Sequence, residues 1–74
     1  MDLDTQLAHI KAHLLTGAAI TPRDAYRLYG SMRLSGQIHV LRHRDNMPIK
    51  TTRLPSGNGS TYASYTYEPQ KNVL

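Results

Sequence analysis

The chain has 74 residues, a length that suits one domain and excludes a multidomain enzyme. It contains no cysteine, which excludes disulfides, thiolate zinc sites and cysteine nucleophiles and suits a reducing compartment. Nine Lys and Arg residues against five Asp and Glu give a net charge of +4, which favours a polyanionic partner.

The first predicted helix begins near Asp4 or Thr5, either of which can cap it, and ends at Gly17. Its apolar residues recur at spacings of three and four and form one narrow stripe: Leu7, Ile10 and Leu14. A narrow stripe covers a core from one side only, so three residues off the stripe are expected in water: His9, Lys11 and His13. The segment 18–20 predicts either a brief edge strand or a tight connection.

The second predicted helix has the clearest start in the sequence. Thr21 is placed to cap it, Pro22 takes the first helical position, and Asp24 completes a capping box. The helix is expected to end at Gly30, where a positive φ angle has no steric cost. Its buried side is expected to contain Ala25, Leu28 and Tyr29.

Apolar spacing resumes after a short turn and predicts a third helix over residues 33–45, with Leu34, Ile38 and Leu41 facing the core. Two helices joined by a short, glycine-containing turn are typical of a helix-turn-helix. Because Phe and Trp are absent, four tyrosines are expected in the core: Tyr26, Tyr29, Tyr65 and Tyr67.

The last part of the sequence changes to a strand pattern. Residues 48–54 and 61–67 are rich in β-branched and aromatic residues, and residues 55–60 between them are turn-forming. They predict a β-hairpin in which Ala63 packs on the helices with Tyr65 and Tyr67, while Ser64 and Thr66 face water. We expect one domain over residues 1–69 and a flexible C-terminal tail over residues 70–74.

Three helices followed by a hairpin wing predict a mostly helical α+β fold, the winged helix-turn-helix. Residues 21–53 carry seven basic and two acidic side chains, a net charge of +5, whereas residues 1–20 sum to −1 and residues 54–74 to zero. The positive charge therefore concentrates where a duplex would meet such a fold. A solvated basic face without a ligand is the alternative.

The run ITPRDAYRLYGSMRL over residues 20–34, with Ile38, Leu41-Arg42 and the segment 49–51, resembles a family of small winged helix-turn-helix proteins encoded by bacteriophages and prophages. The similarity covers about residues 4–67. It implies a DNA-binding protein that regulates transcription or takes part in the lysis-lysogeny and excision decision. Two features depart from the family pattern: family members often carry a glycine at Asn46 or Met47, and this hairpin tip is richer in Gly and Ser.

Base contacts are expected from the side of the third helix opposite its apolar stripe and from the turn before it. Arg33 is the first candidate, because a guanidinium can donate two hydrogen bonds to guanine O6 and N7. The weaker candidates are Ser31, Ser35, Gln37, His39 and His43. Gly36 costs a helix interior about 1 kcal/mol relative to Ala, which either close approach of a neighbour or a packing role would explain.

Phosphate contacts, which position a protein without reading sequence, are expected from six basic residues: Arg23, Arg27, Arg42, Arg44, Lys50 and Arg53. For Arg42 an intramolecular ion pair is an equal alternative. The wing tip offers small polar groups to a phosphate or to the minor groove: Ser56, Gly57, Asn58, Gly59 and Ser60.

Two histidine pairs, His9/His13 and His39/His43, have a spacing that suits metal ligands. No third ligand stands at a suitable distance from either pair, so we expect no metal and no other cofactor. Protonation of His39 and His43 on a groove-facing side predicts DNA binding that strengthens between pH 8 and pH 6.

No catalytic motif is present, and neither an enzyme nor a small-molecule substrate is expected. No run approaches the ~18 apolar residues of a membrane span and the first residues lack signal-peptide features, so a cytoplasmic location without a membrane partner is expected.

The sequence favours a sequence-specific double-stranded DNA-binding protein that acts as a homodimer or as cooperative copies on DNA. One alternative is a phage protein-binding module that occupies a host protein or a repressor through the same fold. The other is an architectural protein that bends DNA without sequence preference.

Overall fold

A computed structural model describes residues 3–69, in which the elements follow the predicted order. Helix α1 spans Leu3–Leu15, α2 spans Pro22–Tyr29 and α3 spans Leu34–Arg44. Strands β1 (Ile49–Pro55) and β2 (Thr61–Tyr67) form an antiparallel hairpin, the wing. The mostly helical α+β fold with a winged-helix order is confirmed. The predicted tail over residues 70–74 lies outside the described residues.

The connection between α1 and α2 joins the sheet. Ile20 and Tyr65 form a β-bridge with backbone hydrogen bonds of 2.9 Å in both directions. Tyr65 pairs with Thr51 of β1 on its other side, so β2 lies between β1 and Ile20. Of the two alternatives for residues 18–20, the tight connection is the better description, because only Ile20 pairs with the sheet, through a single isolated bridge. Helix α1 begins at Leu3, which makes the predicted capping by Asp4 or Thr5 wrong, because both residues lie in its first turn.

The predicted ends of α2 are confirmed in detail. The Thr21 side chain accepts a hydrogen bond from the Asp24 backbone, and Asp24 accepts one from the Thr21 backbone in return. Gly30 ends the helix with a φ of 68°.

The turn after α3 contains Asn46, whose φ of 54° lies in the left-handed region that favours glycine. Asparagine is one of the few other residues that adopt this conformation at low cost.

The core forms where the apolar stripe of α1 meets α3 and the inner face of the wing. Its buried members are Leu7, Ile10, Leu14, Ile20, Ala25, Leu34, Ile38, Leu41, Met47, Ile49, Ala63 and Tyr65, with Tyr29, Val40 and Tyr67 partly buried against them. None of the helices within residues 3–69 has the length and apolar character that crossing a membrane requires.

Three burial predictions are wrong. Leu28 and Tyr26 are exposed, because so short a helix turns only Ala25 and part of Tyr29 toward the core. Ser64 is buried although it lies on the outer face of the wing.

His13 is half-buried rather than fully in water as predicted. Its Nδ1 lies 2.8 Å from the Tyr29 hydroxyl, and its Nε2 lies 2.9 Å from the Ala19 carbonyl oxygen. Because a carbonyl oxygen only accepts hydrogen bonds, Nε2 carries the proton and donates it. His13 therefore ties α1 to α2 and to the loop between them. His9 is exposed and its ring stacks on Tyr29, with the ring centroids 5.7 Å apart.

Candidate nucleic-acid interface

Helix α3 has one buried side and one uncovered side. Leu34, Ile38 and Leu41 point into the core. Four residues on the opposite side are exposed: Ser35, Gly36, His39 and His43. Within residues 3–69, no element covers the middle of this side.

Three neighbouring elements border the uncovered side. Toward the wing, the Arg42 guanidinium donates to the Ile49 carbonyl oxygen at 2.8 and 3.2 Å and to Thr51 Oγ1 at 2.7 Å. Toward α2, Ser35 lines a groove with Pro22 and Tyr26. Toward α1, a groove of about 370 Å³ is lined by Asp4, Leu7, Arg33, Gly36, Gln37, Val40 and Arg44. The wing and α2 therefore flank one edge of α3, and the start of α1 flanks the other.

Two of the six predicted base-contact residues do not belong to this surface. Ser31 is 2% exposed and Gln37 is 8% exposed, and the Ser31 hydroxyl donates to Gln37 Oε1. Gln37 Nε2 in turn donates to Gln6 Oε1 at 3.2 Å, and Gln6 Nε2 donates to the Gly30 carbonyl oxygen at 3.2 Å. Neither Ser31 nor Gln37 therefore presents its side chain for a base contact, because their polar groups bond each other and hold the helix-turn-helix against α1.

A signal for the burial of Gln37 was present in the sequence. Gln37 stands three residues after Leu34 and four before Leu41, a spacing that places it at the edge of the buried stripe. Ser31 carries no comparable signal, since its burial depends on the path of the turn.

The basic residues divide by their partners. Within residues 3–69, four exposed cations make no ion pair: Arg23, Arg33, Lys50 and Arg53. Arg27 pairs with Asp24 at 3.5 Å and Arg44 with Asp45 at 3.0 Å. Arg42 is held by a carbonyl and a hydroxyl, and not by the ion pair that was its alternative assignment. These partners are neutral, so they occupy its donors without cancelling its charge.

Asp45 concentrates the ion pairing at the end of α3. Two hydrogen bonds hold the pKa of Asp45 below its ordinary value. The larger effect comes from Arg44, and the smaller comes from Lys11, whose Nζ lies 3.1 Å from Asp45 Oδ2. The same hydrogen bond to Asp45 raises the pKa of Arg44. One carboxylate thus pairs with two cations, cancels one of their two charges, and joins α1 to the end of α3.

The wing tip is closed by its own hydrogen bonds. The hydroxyls of Ser56 and Ser60 both donate to Asn58 Oδ1, and the Ser56 backbone donates to the Ser60 carbonyl oxygen at 3.0 Å. Gly57 and Gly59 have φ values of 90° and 89°, which few other residues adopt. The tip is therefore a compact, exposed turn rather than an open loop.

Arg23 and the wing share a second concave surface. A cleft of about 660 Å³ separates the start of α2 from the wing, and it is lined by Thr21, Pro22, Arg23, Asp24, Pro55, Ser56 and Tyr62. Arg23 therefore faces the wing across this cleft.

The rings of His39 and His43 lie together on the uncovered side, with centroids 4.3 Å apart. In the part of the chain that the structure describes, no three His, Asp or Glu side chains come together as metal ligands would.

Comparisons with protein-family models, with curated proteins and with solved structures found no match. The fold and geometry define a small winged-helix domain. Its third helix has one uncovered side, and cations without an ion pair among the described residues lie on the neighbouring elements.

Proposed function

We propose that this chain is a sequence-specific, double-stranded DNA-binding protein that inserts α3 into the major groove. The uncovered side of α3 supports the proposal, because it exposes polar and small residues and no acidic residue. The unpaired cations Arg23, on α2, and Arg53, on β1, belong to elements that border it, and Arg33 directly precedes α3. A major groove about 12 Å wide admits one helix, and such cations meet the phosphates at its edges.

The residues take different roles in this proposal. Arg33, at the N-terminal end of α3, reads a guanine, and Ser35, His39 and His43 make secondary base contacts. Phosphates are bound by Arg23, Lys50 and Arg53. A phosphate does not have to replace a carboxylate partner at these residues, because none of them forms an ion pair among the described residues. Arg27 and Arg44 bind phosphates less strongly because each is paired with an Asp. Arg42 chiefly fixes the wing beside α3.

The cellular role follows from the same proposal. The protein acts in the cytoplasm of a bacterial host, without enzymatic activity, as a phage or prophage regulator of transcription or as an accessory factor of excision. A single module of this size buries roughly 600–1,000 Å² on DNA, which gives limited specificity. It therefore works as a homodimer or as cooperative copies on repeated sites.

The test is selection of bound duplexes from a random pool at ~150 mM salt, followed by binding of two matched variants. Arg33→Ala is expected to lose about 1–3 kcal/mol of discrimination at one base pair. Arg53→Ala is expected to weaken all duplexes alike. Failure to enrich any sequence would contradict the proposal. Enrichment of bent or unrelated duplexes would favour the architectural role, and capture of an acidic protein in place of DNA would favour the protein-binding role.

A further inference from the structure

Two large apolar side chains lie exposed together where α2 meets α3. Met32 is 83% exposed and Tyr26 is 62% exposed, and both line a groove of about 390 Å³. Pro22 and Leu34 complete its apolar wall. Single exposed apolar residues are common on protein surfaces, but a groove formed by several of them indicates a contact site.

This apolar groove is continuous with the proposed DNA interface. Ser35, the first residue of the uncovered side of α3, lines the same groove. Arg33, which follows Met32 directly, is exposed and without an ion pair among the described residues. The groove therefore lies at the N-terminal end of α3, the end that contacts base edges in helix-turn-helix proteins.

The charges next to the groove in the sequence favour a nucleic acid as its occupant. Arg23 and Arg27 directly follow the lining residues Pro22 and Tyr26, and Arg33 directly follows Met32; all three arginines are exposed. The acidic residue of α2, Asp24, is already bonded to the Thr21 backbone and to Arg27. A duplex supplies phosphates for the cations and one apolar group that projects into the major groove, the C5-methyl of thymine.

We propose that Met32 and Tyr26 form a specificity contact for the C5-methyl group of a thymine at the edge of the site read by Arg33. This proposal rests on the DNA-binding function proposed above. The flexible thioether side chain of Met32 packs against the methyl group, and the Tyr26 ring closes the groove behind it. The contact distinguishes thymine from cytosine and from uracil at that position by apolar burial, without a hydrogen bond.

The experiment removes only the methyl group from the DNA. Each thymine of a selected duplex is replaced in turn by deoxyuridine, which pairs identically, and the dissociation constant is measured at fixed salt. One replacement is expected to weaken binding of the wild-type protein about three- to fivefold, the value of one buried methyl group. The Met32→Ala variant is expected to bind the thymine and deoxyuridine duplexes equally, while Met32→Leu keeps part of the difference.

A matched control is Leu28→Ala, which truncates another exposed apolar side chain of α2 that does not line the groove. It is expected to keep the full difference between thymine and deoxyuridine. Thermal unfolding of Met32→Ala is expected to match the wild type, since so exposed a side chain contributes little to the core.

Two results would overturn the methyl contact while leaving DNA binding in place. One is a selected duplex in which no thymine can be distinguished from deoxyuridine, and the other is a Met32→Ala variant that keeps the full difference. If no duplex is enriched at all, the proposed function and the methyl contact are both wrong.

Discussion

Gly36 lies in the middle of the uncovered side of α3, where an added Cβ would meet no atom within 4 Å. Neither close approach of a neighbouring helix nor packing among the described residues therefore requires a glycine at this position. Under the proposed function, we infer that close approach of DNA is the reason for a glycine in this helix interior.

We expect Gly36→Ala to raise the free energy of unfolding by about 1 kcal/mol, because alanine has the higher helix propensity. In the same variant the affinity for the selected duplex is expected to fall, since a methyl group would separate α3 from the bases. Denaturant unfolding and duplex titration measure the two effects. A more stable variant with unchanged affinity would show that DNA does not approach α3 closely at Gly36.

Gln37 links three parts of the molecule through its side-chain amide, as both donor and acceptor. We expect Gln37→Ala to lower the free energy of unfolding by about 1–3 kcal/mol, because Ser31 and Gln6 lose their partner. Ser35→Ala, an exposed neighbour on α3, is the control and is expected to change it by less than about 0.5 kcal/mol. A Gln37→Ala variant with wild-type stability and an altered preference at one base pair would contradict this structural role and indicate that Gln37 contacts DNA.

At the scale of elements, α3 is held at both ends and on one flank. Ser31 and Gln37 hold its start, Arg42 joins its flank to β1, and Asp45 joins its end to Lys11 of α1. These contacts leave the uncovered side free while they determine its orientation relative to the wing.

The Asp45 contact predicts a pH dependence. Because Arg44 and Lys11 lower the pKa of Asp45 in the folded state, the contact stabilises the fold above the unfolded value near 4 and is lost as pH falls through the lowered pKa. We expect Asp45→Asn to unfold at a lower temperature than the wild type at pH 7. The difference is expected to shrink as the pH falls below about 4. A difference that stays constant from pH 7 to pH 3 would contradict this assignment.

At the scale of the whole molecule, the positive charge is concentrated in one part of the chain. Residues 21–53 carry a net charge of +5, the rest of the chain sums to −1, and Asp24 and Asp45 are paired with basic residues. Under the proposed function, a duplex therefore meets the unpaired cations of α2, of β1 and of the turn before α3. Asp4, in the groove between α1 and α3, borders the opposite edge.

This distribution predicts a salt dependence that can be assigned to single residues. The logarithm of the binding constant is expected to fall linearly with the logarithm of salt concentration, by about 0.9 for each phosphate contact. Arg53→Ala is expected to reduce the slope by about 1, whereas Lys11→Ala removes the same charge from α1 and leaves the slope unchanged. Equal changes in both variants would mean that no defined face binds the duplex.

Features that depend on near neighbours in the chain were predictable from the sequence. The capping box of Thr21 and Asp24, the end of α2 at Gly30 and the apolar stripe of α3 each involve residues a few positions apart, so local geometry decides them. The order of these elements then determined the winged-helix fold.

The tertiary structure alone decided which polar residues remain available for a ligand. The hydrogen bonds of Gln6 reach Gly30 and Gln37, which stand 24 and 31 residues away, and Asp45 reaches Lys11 on another helix. Burial and ion pairing depend on distance in space, and residue type and periodicity do not encode that distance. The sequence by itself therefore determined the elements and the side of α3 that faces solvent. The packing of α1 against α3 decided that Ser31 and Gln37 are buried and do not belong to that surface.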